Sequence, residues 1–93
     1  MAKSILQSEK ECFFCGMTGD LHKHHVIYGR GYREISERLG LWVWLCPKHH
    51  TMSDEGVHFD KAKDLELKRY AQRKYEETHY HDTWMAVIGR NYL

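Results

Sequence analysis

The sequence predicts a small α+β domain built around a bound metal ion and completed by C-terminal helices. Three observations carry that expectation. Cysteine and histidine fall in pairs with two residues between them, short β-forming runs flank those pairs, and the second half of the chain shows helical periodicity. Ninety-three residues make one domain, near the size at which an apolar core alone is marginal. A closed metal site offsets that shortage, because the free energy of metal binding becomes free energy of folding.

Taken in order, residues 1–11 carry little pattern and are expected to form a flexible arm. Cys12-Phe13-Phe14-Cys15 reads as a metal knuckle, with Gly16 allowing the tight backbone of the turn. Residues 17–20 signal a turn into a first strand over 21–28, which Gly29-Arg30-Gly31 ends. A short helix is expected over 32–39, where Tyr32, Ile35 and Leu39 share a face and Gly40 is placed to stop it. Residues 41–45 are a run of β-formers apolar on both faces, so a second strand is expected with Trp42 and Trp44 in the core. Pro47 suits the first turn of a helix reaching about Asp54, before Glu55-Gly56 breaks the pattern.

The longest helix is expected over 60–79, with Asp60 as its N-cap. Leu67, Ala71, Tyr75 and Thr78 line one face. Opposite lie Glu66, Arg69, Arg73 and Glu77, where Glu66 with Arg69 and Arg73 with Glu77 are helical-neighbour ion pairs. Asp82 is expected to cap a last short helix that turns Trp84, Val87 and Ile88 inward and ends at Gly89. No repeat or linker interrupts the chain. A core over 12–58 and a helical extension over 59–93 therefore form one unit.

Cys12, Cys15, Cys46 and His49 supply four ligands for tetrahedral zinc and use every cysteine in the protein. A C-x2-C pair alone is a modest signal; joined to C-x2-H it is a strong one. Three cysteines cannot complete a disulfide framework, and a reducing cytosol suits them better than secretion. The first ten residues lack an apolar signal core and no window approaches a membrane span, so a cytoplasmic, membrane-free protein is expected. A net charge of +1 with neutral histidines excludes a basic tail. Nucleic-acid binding would have to rest on local geometry and bound metal.

His24, His25 and His50 are the histidines expected to serve the chemistry. His24 and His25 are adjacent on a strand, so their side chains should point to opposite faces. His50 follows His49 at a helix start, about a quarter turn round, and Asp54 lies one helical turn beyond His50. His22, His79 and His81 are expected as surface or structural residues.

A strand with His24-His25-Val26-Ile27, a loop, a second strand running into Cys46-Pro47-Lys48-His49-His50 and then a helix resembles the HNH nuclease family. The likeness spans residues 12–54, and its phrasing is similar to that of small HNH-like proteins of bacteriophages. Gly56-Val57-His58-Phe59 and the ending over 89–93 also look like that group.

The resemblance implies a treble-clef scaffold whose zinc ligands are Cys12, Cys15, Cys46 and His49, with His49 where many relatives carry cysteine. It implies His25 as general base, and His24 and His50 as ligands of a catalytic Mg²⁺, Mn²⁺ or Ni²⁺ ion, a set that Asp54 or His58 would enlarge. Those residue types suit phosphodiester hydrolysis. A divalent cation neutralises charge developing on the phosphate, and a neutral imidazole takes a proton from water. Arg30 and Arg33 in the loop after the strand are phosphate-contact candidates. Arg69 and Arg73 are weaker ones on a face that is ordinarily just solvated.

One position departs from the family. Its middle asparagine should fall near Leu41, five residues before Cys46, and the only asparagine in the chain is Asn91. The leading expectation is a metal-dependent DNA endonuclease or nickase, acting in a bacterial host cytosol if phage-encoded. The alternative is a zinc-stabilised module that has lost the chemistry and binds nucleic acid or blocks a host protein. A transcription-type zinc finger is weaker, since no basic helix offers base-reading residues.

Overall fold

The computed structural model describes residues 3–50, 56 and 60–93. Its elements run β1 (His22–His25), α1 (Tyr32–Leu39), β2 (Trp42–Leu45), α2 (Pro47–His50), α3 (Lys61–Glu76) and α4 (His81–Ile88). The strands form an antiparallel pair in the register His22 to Leu45, Lys23 to Trp44, His24 to Val43 and His25 to Trp42.

Strand alternation sorts the side chains of this hairpin. His24, Val43 and Leu45 are buried on one face. Lys23, His25, Trp42 and Trp44 share the other, which is half-buried. Trp42 and Trp44 are therefore not core residues. They meet edge to face at 5.4 Å, and the ammonium groups of Lys23 and Lys10 lie 4.3 Å and 4.7 Å from their rings. Leu41, Val43 and Leu45 supply the core instead, because they occupy the inward register.

β1 is shorter than the sequence suggests. The Val26 N–H adds one rung by donating to the Leu41 carbonyl at 2.9 Å. Ile27 then turns to buried Ser36 of α1: its N–H donates to Ser36 Oγ at 3.2 Å, and Ser36 Oγ donates to its carbonyl at 2.6 Å. A side chain thus takes the place of the strand partner, and the ladder stops.

α1 has the expected bounds, and Gly40 ends it in the left-handed region at φ 75°. That turn is also where the N-terminal segment docks. Residues 3–11, expected as a flexible arm, run along the outer edge of β2 instead. The Ile5 N–H donates to the Gly40 carbonyl at 2.9 Å, the Trp44 N–H donates to Gln7 Oε1 at 2.9 Å, and Ser4 Oγ donates to the Trp42 carbonyl. Leu6 enters the core. The edge of a two-stranded sheet needs such a cover, since its backbone groups otherwise lack partners.

Asp60 caps α3 as expected, its carboxylate accepting from the N–H groups of Ala62 and Lys63. Leu67, Ala71 and Tyr75 pack inward with Trp84 and Ile88 of α4 into the cluster that holds Leu6, Val26 and Leu41. The helix stops at Glu76, so Thr78 falls in the following turn rather than on the buried face, where Gln72 is found instead. Gln72 pins the C-terminal segment: its Nε2 donates to Asn91 Oδ1 at 2.8 Å and its Oε1 accepts from the Tyr92 N–H at 2.7 Å.

Ion pairs of α3 include Lys68 with Asp64 at 2.7 Å, Lys74 with Glu77 at 3.6 Å and Glu76 with His81 at 2.9 Å, in place of the expected Glu66–Arg69 and Arg73–Glu77. Arg69 Nε instead donates to the Tyr92 carbonyl at 3.0 Å. α4 starts at His81 with Tyr80 at the cap position, so Asp82 sits inside the first turn. There its charge still favours the helix N-terminus. No helix among the described residues is long and apolar enough to cross a membrane.

Candidate metal centre and histidine cluster

Two backbone turns bring the cysteines together. In the first, the Gly16 N–H donates to the Cys12 carbonyl and the Cys12 N–H to the Met17 carbonyl, both at 2.8 Å. The Phe13 N–H donates to the Trp44 carbonyl at 2.8 Å, which fastens this turn to β2. In the second, the N–H groups of His49 and His50 both donate to the Cys46 carbonyl, at 3.1 Å and 3.0 Å. β2 therefore holds both turns, one by this cross-link and the other by continuing directly into Cys46.

The result is a Cys3His cluster in which one ligand atom each from Cys12, Cys15, Cys46 and His49 lies within 4.8 Å of the others. Cys15 Sγ and Cys46 Sγ are 3.7 Å apart, Cys12 Sγ is 3.7 Å from His49 Nδ1, and Cys46 Sγ is 3.3 Å from the same nitrogen. A tetrahedral ion with Zn–S near 2.3 Å sets its sulfurs about 3.8 Å apart. The four residues are thus positioned to hold a metal ion, and the distances and the sulfur-rich donor set fit structural zinc.

The cysteine thiols stand in different electrostatic surroundings. Burial works to raise the Cys12 thiol, but hydrogen bonds from the backbone of Cys46, Cys15 and Phe14 hold it below its ordinary value. At Cys15 a backbone hydrogen bond from Met17 favours the thiolate, while desolvation and the neighbouring Cys12 and Cys46 push it up overall. Cys12, Cys15 and Cys46 would hold a bound metal ion as thiolates, with their protons released to solvent.

The other histidines divide between the two faces of the hairpin, as their alternation requires. His24 is buried and faces His50 of α2, with ring centroids 5.3 Å apart. His22, expected as a surface or structural residue, joins them. Its Nδ1 is 3.1 Å from His50 Nδ1, and the two rings meet edge to face at 5.3 Å. The signal that could have found it is its spacing: His22 and His24 are two apart on a strand and so share a face.

His25 lies on the other face, where its Nε2 is 2.9 Å from Glu37 Oε1 of α1. Lys23 Nζ reaches the same carboxylate at 3.3 Å. The His25 hydrogen bond, followed by Lys23, holds the Glu37 carboxyl below its ordinary value. An ionised carboxylate can only accept, so the proton of a neutral His25 sits on Nε2 and its Nδ1 keeps the lone pair. Glu37 carries no local sequence signal, because only the packing of α1 on β1 brings it to His25.

Leu41, at the position where the resemblance leads one to expect asparagine, is fully buried. Its carbonyl makes the bond to Val26 N–H, next to His25, through backbone alone. Arg30 and Arg33 are exposed beside a groove of about 610 Å³ that they line with Gly29, Gly31 and Glu34. Arg69 and Arg73 are exposed on α3. Asp54 and His58 lie outside the described residues.

Together these features define a small α+β domain with a Cys3His cluster positioned to bind a metal ion. Compared with family models, curated proteins and solved structures, the chain gives no match.

Proposed function

We propose that the chain is a metal-dependent endonuclease or nickase of HNH type that hydrolyses DNA phosphodiester bonds, built on a zinc treble clef. The observation that carries this reading is the division of labour at β1. Neighbouring residues place one imidazole in a histidine cluster suited to a cation and the other against a carboxylate that orients it. Phosphodiester hydrolysis uses both kinds of group, a cation for the charge on the phosphate and a base for the attacking water.

His25 is the general base. Glu37 accepts from its Nε2–H and fixes both ring orientation and tautomer, which leaves Nδ1 to take the proton of the attacking water. His24 and His50 hold a divalent cation, which when bound neutralises charge on the phosphate and the departing oxygen. Arg30 and Arg33 contact neighbouring phosphates and set the register of the strand. The Cys3His cluster keeps a purely structural role, holding β2 and the start of α2 so that His50 faces β1.

A second reading is favoured by the core leucine at position 41 and the net charge of +1. On it, the domain is an inactive zinc-stabilised module that binds nucleic acid or a host protein. Zinc-loaded protein incubated with supercoiled plasmid and Mg²⁺, Mn²⁺ or Ni²⁺ separates the two. The nuclease reading expects conversion to nicked or linear DNA that EDTA abolishes and that weakens in His50→Ala. Intact plasmid under every ion supports the module.

A further inference from the structure

We propose that His22 is a third imidazole ligand of the cation held by His24 and His50. The site is thereby one for borderline transition ions such as Ni²⁺, Co²⁺ or Zn²⁺ rather than for Mg²⁺. This inference rests on the reading of His24 and His50 as cation ligands and adds a residue and an ion class to it.

His22 Nδ1 and His50 Nδ1 are 3.1 Å apart. Two imidazole nitrogens that each bind one ion at about 2.1 Å, near a right angle, stand about 3 Å apart. The pair already has the separation of two ligands sharing an ion. His24 backs it from the same face of β1, its ring 5.3 Å from that of His50.

Strand register sets His22 opposite Leu45, the residue before Cys46. The turn that places His49 on the cysteines therefore also places His50 beside His22. His22 is exposed, so an ion there faces solvent and keeps positions for oxygen ligands. That is the open arrangement of a catalytic site, in contrast to the closed cysteine cluster.

Ligand chemistry supplies the ion class. Imidazole nitrogens favour zinc, nickel, copper and iron, whereas magnesium prefers oxygen donors and gives up its water reluctantly. Three nitrogens from three histidines should rank Ni²⁺ and Co²⁺ far above Mg²⁺. The chain would then carry two unlike sites, one sulfur-rich and closed, one nitrogen-rich and open.

The test titrates Co²⁺ and Ni²⁺ into zinc-loaded protein, followed by calorimetry and by visible absorption of Co²⁺. Binding at the second site should lack the thiolate charge-transfer bands that mark the cysteine cluster. His22→Ala should weaken that second equivalent at least about tenfold, with zinc content and circular dichroism unchanged, while His79→Ala leaves it as in the wild type. Equal affinity in His22→Ala overturns the inference and leaves the His24–His50 reading standing. No second equivalent in the wild type, or Mg²⁺ binding as tightly as Ni²⁺, overturns it as well. Retained His22-dependent binding without plasmid cleavage upholds the inference and removes the nuclease reading.

Discussion

Replacing Gly40 by alanine tests how the N-terminal segment is held. Gly40 has φ 75°, and an L-residue in the left-handed region costs about 1–2 kcal/mol. A Cβ there would also collide with the Lys3 carbonyl oxygen and sit 3.2 Å from the Ile5 nitrogen. Backbone atoms cannot swing away as a flexible side chain can. Relief requires residues 3–5 to move, which breaks the Ile5–Gly40 hydrogen bond, worth about 1 kcal/mol, and loosens Leu6. Gly40→Ala should therefore cost about 2–4 kcal/mol in total. Gly31 is the matched control: its φ is 85°, and nothing lies within 4 Å of an added Cβ. Gly31→Ala should show the conformational cost alone, about 1–2 kcal/mol. Urea unfolding at fixed excess zinc, followed by far-ultraviolet circular dichroism, reads both. Equal losses in the two variants would refute the docking of residues 3–5 on the α1 turn.

Other outcomes follow from the same contacts. Ser36→Ala should destabilise by about 2–3 kcal/mol in the same unfolding assay, because it leaves both backbone groups of Ile27 without their buried partner. Asp60→Ala should cost about 1 kcal/mol by removing the N-cap of α3. Chelation of zinc should collapse the fold cooperatively in circular dichroism, since binding at such sites is worth on the order of 10 kcal/mol. Glu37 has a folded value below its ordinary 4.5, so its stabilising contacts are complete above that pH and are lost as pH falls through the lower folded value. Carboxyl NMR should report this depression and its partial reversal in His25→Ala; an unshifted Glu37 would contradict the pairing.

What could be read from the sequence was local. α1 and its glycine stop, the Asp60 cap and the Cys3His ligand set each depend on spacing within a few residues, and each is found in the structure. The opposite orientation of His24 and His25 follows from strand alternation alone. What was not legible depends on contacts distant in sequence. Leu6 looked patternless because its segment is ordered by the edge of β2, more than thirty positions away. Trp42 and Trp44 look like core by composition, yet register turns Val43 and Leu45 inward. Glu37 and His22 acquire chemical partners only when α1 and α2 pack against β1. Gln72 enters the buried face of α3 because the C-terminal segment satisfies its amide, which helical periodicity cannot foresee.

The proposed role of His25, taking the proton of the attacking water, is tested most directly by the single-turnover rate of plasmid nicking by wild type and His25→Ala, at matched zinc content and saturating divalent cation. The variant should nick about 10²–10⁴-fold more slowly, with plasmid binding and second-site metal affinity unchanged. A His25→Ala variant that nicks at the wild-type rate would contradict it.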